Sequence, residues 1–218
     1  MTKGLLLIAA AILATTFPPA SAQDSMWKTF YEDGMKAWSS GNFVEGEKLL
    51  SSALKAADES LEANDPRKAI IIENLGFCLV QQQKYSEAEA VYKKELAILE
   101  KLHGAESPTV VNVLTSLAGV YSNQRKFVES ESLFKRALAM NEKAGRDTEQ
   151  VALVLEKMGN MYARQEKYAE ADAAYLRAQS IYEKTAGPSD PKLVPLLIFR
   201  SSILSDSLKY GESEKVLK

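Results

Sequence analysis

Cysteine and histidine are nearly absent from this sequence, which contains one of each in 218 residues. A lone cysteine cannot form a disulfide bond within the chain, and a single histidine leaves most metal sites without ligands. Basic residues are not in excess either, because 27 Lys and Arg stand against 29 Asp and Glu. Nucleic-acid binders need a surplus of positive charge to displace counterions from phosphates. We therefore expect no nucleic-acid partner, no metal and no cofactor.

Long apolar runs are also missing, apart from one at the N-terminus. Lys3 precedes ten apolar residues at 5–14, two prolines end the run, and Ala20-Ser21-Ala22 forms a small-x-small cleavage site. This layout predicts a secretory signal peptide over residues 1–22. A membrane anchor is disfavoured because ten residues span about 15 Å of helix, half of a roughly 30 Å hydrocarbon core. We expect an exported protein, periplasmic or secreted, without membrane insertion after cleavage.

The strongest pattern in the chain is a repeat of about 42 residues. Similar stretches surround five aromatic residues at spacings of 42, 42, 41 and 42: Phe43, Tyr85, Phe127, Tyr168 and Tyr210. A small residue lies nine positions before each of them: Gly34, Gly76, Ala118, Gly159 and Ser201. A second small residue lies three positions after each aromatic residue, and a bulky apolar residue lies seven positions after it. Spacings of three, four and seven residues are typical of helices. Each period therefore predicts two helices, A and B, that cross closely at small residues.

The predicted helix boundaries recur with the same period. Asp65, Ser107, Thr148 and Asp190 stand where a side chain can cap the start of helix A. Glycine readily takes the left-handed conformation that closes a helix, and three glycines stand where helix B should end: Gly104, Gly145 and Gly187. Helix B should start near each aromatic residue, including Tyr210 in the last repeat.

This pattern resembles the tetratricopeptide repeat (TPR), a helix-turn-helix unit. Its motifs are matched by Leu75-Gly76, Leu117-Ala118-x-x-Tyr121 and Met158-Gly159-x-x-Tyr162 in helix A, and by Ala88-x-x-x-Tyr92 and Ala171-x-x-x-Tyr175 in helix B. The period exceeds the usual 34 residues and is similar to the long repeats of kinesin light chains. The resemblance implies an all-α fold, a right-handed α-solenoid of about five units.

We divide the chain on this basis into a signal peptide and five repeats. The repeats span 23–64, 65–106, 107–147 and 148–189, with a partial fifth repeat at 190–218. Such a solenoid is stabilised mainly by each helix pair burying its apolar face on its neighbours.

The resemblance also implies where a partner would bind, because helix A lines a concave groove in this family. Its groove positions, carried over one at a time, fall on Tyr31, Trp38, Glu73, Phe77, Gln81, Asn112, Thr115, Asn123, Glu156, Asn160 and Arg164, and Asn74 matches an asparagine common in the kinesin-light-chain type. Amides can hydrogen-bond an extended peptide, and aromatic rings can receive its side chains. We predict a protein or peptide partner; the alternative is that these polar residues only solvate an exposed face.

The charges at these positions predict what kind of segment binds. Glu73 and Glu156 indicate a weakly acidic floor, which favours a neutral or basic segment. The family's two-carboxylate clamp needs several basic residues, and only Arg164 and Lys28 stand at groove positions. We therefore do not expect that clamp.

The last repeat departs from the pattern. Pro195 falls in the first turns of its helix A, an apolar run at 196–199 follows, and no polar capping helix closes the array. Solenoids normally need such a cap. We therefore predict an exposed apolar edge formed by Ile198, Phe199, Leu204 and Leu217. The alternative function is a structural subunit that self-associates into a homo-oligomer or docks through this edge.

Nothing in the sequence points to catalysis. His103 stands alone near the end of a B helix, where the helix dipole favours it. Cys78 lies on an apolar helix two positions after Gly76 and is expected to be buried. No glycine-rich phosphate loop or metal-ligand spacing is present in the sequence. We predict a non-catalytic interaction module.

Overall fold

The structure is a computed structural model that describes the backbone of residues 20–143 and 148–216, and the side chains of 26–143, 148–203 and 205. Within these residues the secondary structure is entirely α-helical. The helices are α1 (Ala20–Ser39), α2 (Phe43–Ser60), α3 (Pro66–Gln81), α4 (Tyr85–His103), α5 (Val110–Asn123), α6 (Phe127–Lys143), α7 (Glu149–Ala163), α8 (Tyr168–Ala186) and α9 (Leu193–Val216).

The first eight helices form the predicted A–B pairs, and each B helix starts at its aromatic residue. Asp65 caps α3 by accepting a hydrogen bond from the Arg67 N–H at 2.9 Å. Thr148 caps α7 by accepting from the Val151 N–H at 3.4 Å. Gly104 and Gly187 follow α4 and α8 with φ angles of +85° and +92°. These residues therefore start and end the helices as the sequence predicts.

Contacts divide the chain into two compact units, residues 1–102 and residues 103–218. In the first unit α1 packs on α2, α2 packs on α3, and α1 also contacts α3. In the second unit α5 to α9 pack in chain order, and α5 also contacts α7. Within each unit, A helices from neighbouring repeats therefore lie side by side, as stacking of the repeats requires.

The paired helices cross at the small residues of helix A. A Cβ atom added to Gly76 would lie 2.5 Å from Cζ of Tyr92 on α4. One added to Gly159 would lie 2.9 Å from Cε1 of Tyr175 on α8. In each pair the aromatic ring of helix B therefore lies directly on the helix A backbone, and a larger residue would push it away.

The fifth repeat differs from the prediction, because α9 continues past Tyr210 without a break. In the four complete repeats the residue two positions before the aromatic has a positive φ: Gly41, Gln83, Arg125 and Glu166. The fifth repeat has Leu208 at this position. Gln83, Arg125 and Glu166 are helix formers as strong as leucine, so the residue type at this position does not explain the difference. The helix continues through Leu208, whereas the chain turns at this position in the four complete repeats.

Two further features concern the ends of the chain. Pro195 lies in the first turn of α9, where its missing N–H would have no partner in any case. Residues 1–19 of the predicted signal peptide lie outside the described residues, as do Gly145 and Leu217. None of the helices in the described ranges combines the length and apolar character needed to cross a bilayer.

Substituting Gly76 by alanine should destabilise the protein, although alanine is the better helix former. The added methyl group meets the buried ring of Tyr92, and overpacking of this kind costs about 1–3 kcal/mol. Gly119→Ala is the matched control, since a Cβ there has no atom within 4 Å, and it should stabilise the protein by up to about 1 kcal/mol. Urea unfolding followed by circular dichroism tests both; equal effects of the two substitutions would contradict the close crossing.

Candidate functional site: the groove faces of the A helices

In the first unit, two predicted groove residues form an aromatic pair. The rings of Trp38 on α1 and Phe77 on α3 meet edge to face, with 5.5 Å between their centroids. Phe77 also meets the ring of Phe43, at 6.0 Å. Because the side chain of Phe77 remains 38% exposed, the pair presents an apolar surface beside the α1–α2 turn.

Tyr31 belongs to a separate, smaller cleft of the first unit. This cleft has a volume of about 240 Å³ and is lined by Trp27, Lys28, Tyr31, Glu32, Arg67, Ile70 and Ile71. Burial and the nearby negative charge of Glu73 raise the pKa of Tyr31, so its hydroxyl stays protonated. The guanidinium of Arg67 lies 5.5 Å from the centre of the Trp27 ring and is paired with Asp65. The cleft is therefore aromatic and close to neutral.

The remaining predicted groove residues of the first unit are polar. Glu73 and Gln81 are exposed on α3. Asn74 is half-buried, and its Nδ2 donates a hydrogen bond to the Ile70 carbonyl at 2.8 Å on the same helix. Among the described residues, its carbonyl oxygen and its second N–H have no partner, so both are left for a ligand.

In the second unit, the structure brings predicted residues together in a larger cleft of about 530 Å³, the basic cleft hereafter. Its lining comes from α5, α7, α8 and α9 and consists of Gly119, Ser122, Asn123, Lys157, Asn160, Ala163, Arg164, Tyr168, Tyr175, Phe199, Ser202 and Ile203. Asn123, Asn160 and Arg164 are predicted groove residues. Phe199 was assigned from sequence to the C-terminal edge, so the structure joins one residue of the edge to the groove.

Asn160 is held in place by a buried tyrosine. The hydroxyl of Tyr175 donates a hydrogen bond to Asn160 Oδ1 at 2.5 Å. Burial, and secondarily the charge of Glu156, raises the pKa of Tyr175 to about 12, which keeps this donor protonated. Gly159 leaves the space that the ring occupies. The Asn160 amide nitrogen, which has no protein partner in the described part of the chain, is thus left to donate to a bound group.

The charged residues that line the basic cleft are all positive. Lys157 and Arg164 line it, and its lining contains no acidic residue. Both side chains are exposed, and neither forms an ion pair with any described residue. Lys157 was missed by the sequence analysis, although it lies three residues before Asn160 and seven before Arg164, on the same face of α7.

The other predicted groove residues of the second unit lie elsewhere, and this corrects the expected acidic floor. Glu156 lines a different cleft of about 320 Å³, where Lys192 and Glu149 also form an ion pair. Burial raises the pKa of Glu156. Asn112 accepts a hydrogen bond from Gln150 Nε2 at 2.5 Å.

Thr115 does not fit the groove prediction at all. Its side chain is 3% exposed, and its hydroxyl donates to the Val111 carbonyl at 2.7 Å. The hydroxyl of this threonine is hydrogen-bonded within its own helix, and the side chain is buried. It is therefore not accessible to a partner.

Those residues of the predicted C-terminal edge whose side chains the structure describes are exposed. Ile198 and Phe199 are 63% and 48% exposed, whereas the side chain of Leu204 and all of Leu217 lie outside the described residues. Val194 and Leu197 belong to the same surface and are also exposed. The residues at their two positions are buried in the earlier A helices: Ala69 and Ile72 in α3, Val111 and Leu114 in α5, Ala152 and Leu155 in α7.

The single cysteine is buried, as the sequence predicts. Cys78 has no exposed surface, and burial raises the pKa of its thiol to about 11, so the reactive thiolate is disfavoured. His103 is exposed at the end of α4. In the described ranges, no three His, Cys, Asp or Glu side chains lie together in a group that could hold a metal ion.

Comparison with known families identifies the repeat. The tetratricopeptide repeat family matches residues 36–101, 69–143 and 151–192, which together make up more than half of the chain. The protein therefore belongs to the tetratricopeptide repeat family. The all-α solenoid class of fold predicted from the sequence is thereby confirmed.

Solved structures show the same fold at low sequence identity. BtubC (BKLC) from P. vanneervenii is 20% identical over 90% of this chain and 85% of its own, with a TM-score of 0.68. A protein of Podosopora anserina assigned to the kinesin light chains, with nearly identical TPR-like repeats, is 16% identical over 92% and 94%, with a TM-score of 0.69. A Rap protein in complex with Competence and Sporulation Factor is 16% identical over 87% of this chain and 51% of its own, with a TM-score of 0.71. No curated protein matches this sequence.

Replacing Tyr175 by phenylalanine should release Asn160. The loss of one hydrogen bond should lower the free energy of unfolding by about 0.5–1.5 kcal/mol, and the side-chain NH₂ signals of Asn160 should move and broaden in a ¹⁵N–¹H spectrum. Tyr85→Phe is the control, because no hydrogen bond of the Tyr85 hydroxyl occurs among the described residues. Unchanged Asn160 signals in Tyr175→Phe would show that the tyrosine does not orient this amide.

Proposed function

We propose that this protein is an exported, non-catalytic interaction module that binds a segment of a partner protein, or a peptide, on the groove faces of its A helices. The basic cleft of the second unit carries this proposal, because it places two cations, without an ion pair to any described residue, and two amides around one space of about 530 Å³. The Rap complex supports it, since a protein of similar fold holds a second molecule.

The lining of the basic cleft favours an anionic group on the bound segment. The guanidinium of Arg164 can hold a carboxylate through two parallel hydrogen bonds, and Lys157 adds a second positive charge. The amide nitrogen of Asn160 supplies a neutral donor. Phe199 provides an apolar wall beside these groups, so the segment should combine an acidic residue with an apolar neighbour.

Binding at this site would need little rearrangement of the protein. Asn160 is already fixed by Tyr175, and the cleft is bounded by packed helices rather than by loops. A preformed surface lowers the ordering cost of association. Most of the conformational entropy lost on binding would therefore come from the partner segment, because the helices are already ordered before it binds.

Export is part of the same proposal and rests on the pattern of residues 1–22. Sequencing the N-terminus of the protein recovered from its host tests it. A mature chain that starts at Gln23 supports export, and a chain that retains Met1 in the cytoplasmic fraction contradicts it.

Removing both cations from the basic cleft should weaken binding of acidic segments. We expect Lys157→Gln with Arg164→Gln to lose about tenfold or more in affinity, because charge-assisted hydrogen bonds contribute about 1.5–3 kcal/mol each. The probe is a fluorescent library of extended decapeptides, sorted by acidic content and measured by anisotropy. The control variant, Lys101→Gln with Lys143→Gln, removes two positive charges outside this cleft and should bind as the wild type does. Equal loss in both variants would indicate only a general charge effect.

A second candidate function, self-association, is favoured by the apolar surface of α9. Val194, Leu197 and Ile198 are exposed together on this helix, and the first two occupy positions that are buried in three earlier A helices. A contiguous apolar surface of this kind marks an interaction site more often than it marks ordinary surface. A second copy of the chain would bury it in a homo-oligomer.

Ile198→Asp should abolish such self-association and leave the basic cleft intact. Ile198 does not line that cleft, whereas Phe199 does, so a Phe199 variant would disturb both surfaces. Sedimentation velocity over micromolar concentrations measures the oligomer. A wild-type protein that remains monomeric throughout this range excludes the second candidate and leaves peptide binding unaffected.

A further inference from the structure

One buried residue breaks the repeat pattern of the core. The tenth residue after the aromatic residue of helix B is alanine in three complete repeats: Ala53, Ala137 and Ala178. All three are fully buried. The second repeat has Glu95 at this position, and its side chain is 3% exposed. A carboxyl group therefore occupies a site that elsewhere receives only a methyl group.

Among the described residues, Glu95 has no partner that would stabilise a negative charge. Its Oε2 atom is buried and makes no hydrogen bond within this part of the chain. The charged group that acts on it from α3 is Glu73, which has the same sign. Lys68 on α3 and Lys94 on α4 are both paired with Asp58 on α2, at 3.0 Å and 3.1 Å.

We propose that Glu95 is a pH-sensitive element of the second repeat. The α3–α4 pair packs with this carboxyl protonated, and ionisation of the carboxyl loosens the pair locally. A buried charge without a partner is far more costly than a buried neutral carboxyl group. The proposal does not depend on the basic cleft, because Glu95 lies in the first unit.

The direction of the pH effect follows from the two protonation states. Burial, with a smaller contribution from Glu73, raises the pKa of Glu95 to about 8 in the folded protein. In an opened or unfolded segment it returns to the ordinary value of about 4.5. The folded state therefore keeps a proton that the open state releases, and the packing of α4 is most stable below about pH 4.5. This stability falls as the pH rises towards 8 and is constant above it.

Hydrogen–deuterium exchange on the full chain tests this proposal. After correction for intrinsic exchange rates, the opening equilibrium of α4 amides should rise by up to tenfold per pH unit between about pH 5 and 8. Amides of α6 provide an internal reference, because that helix has the buried Ala137 at the equivalent position. A pH dependence of α4 identical to that of α6 would overturn the proposal.

Two variants separate the charge from the shape of the side chain. Glu95→Gln keeps the shape and Glu95→Ala restores the residue of the other repeats; both should remove the extra pH dependence of α4. Retention of that dependence in either variant would refute the role of Glu95. Should the variants fold poorly, the ¹³C signal of the Glu95 carboxyl in the wild type decides: a midpoint near pH 8 supports the proposal, and one below about pH 5.5 overturns it.

Discussion

The close crossing of helices A and B at a small residue is the constraint on which the remaining structure depends. At Gly76 and Gly159 an aromatic ring of helix B lies so close to the helix A backbone that no Cβ fits between them. This contact fixes how the two helices of a pair lie against each other. A similarly close approach joins Gly34 to the Leu50 side chain in the first repeat. Successive A helices within a unit lie side by side and present one face.

The same crossing shapes the candidate binding site. Tyr175 can reach Asn160 because Gly159 leaves room for its ring, and its hydroxyl then orients the amide at the edge of the basic cleft. The packing contact and the candidate binding residue are therefore neighbours in sequence, at positions 159 and 160.

The positions that depart from the repeat are the ones that distinguish this protein from a uniform array. Glu95 replaces a buried alanine, Leu208 replaces a turn residue with positive φ, and Val194 and Leu197 are exposed at positions that are buried elsewhere. Each departure goes with a separate structural feature: a buried ionisable group, an unbroken last helix and an apolar surface.

The sequence by itself determined the first eight helices, most of their boundaries and the class of fold. The small and aromatic residues recur five times, the capping side chains four times and the closing glycines three times, and all of these are local features. Asn123, Asn160 and Arg164, which the sequence predicts as groove residues, line one cleft. Only the tertiary structure decided that Lys157 and Phe199 join them, that Glu156 lies in another cleft and that Thr115 is buried. The physical reason is that a helical period gives the direction of a side chain on its own helix, whereas the shape and charge of a cleft depend on how several helices pack.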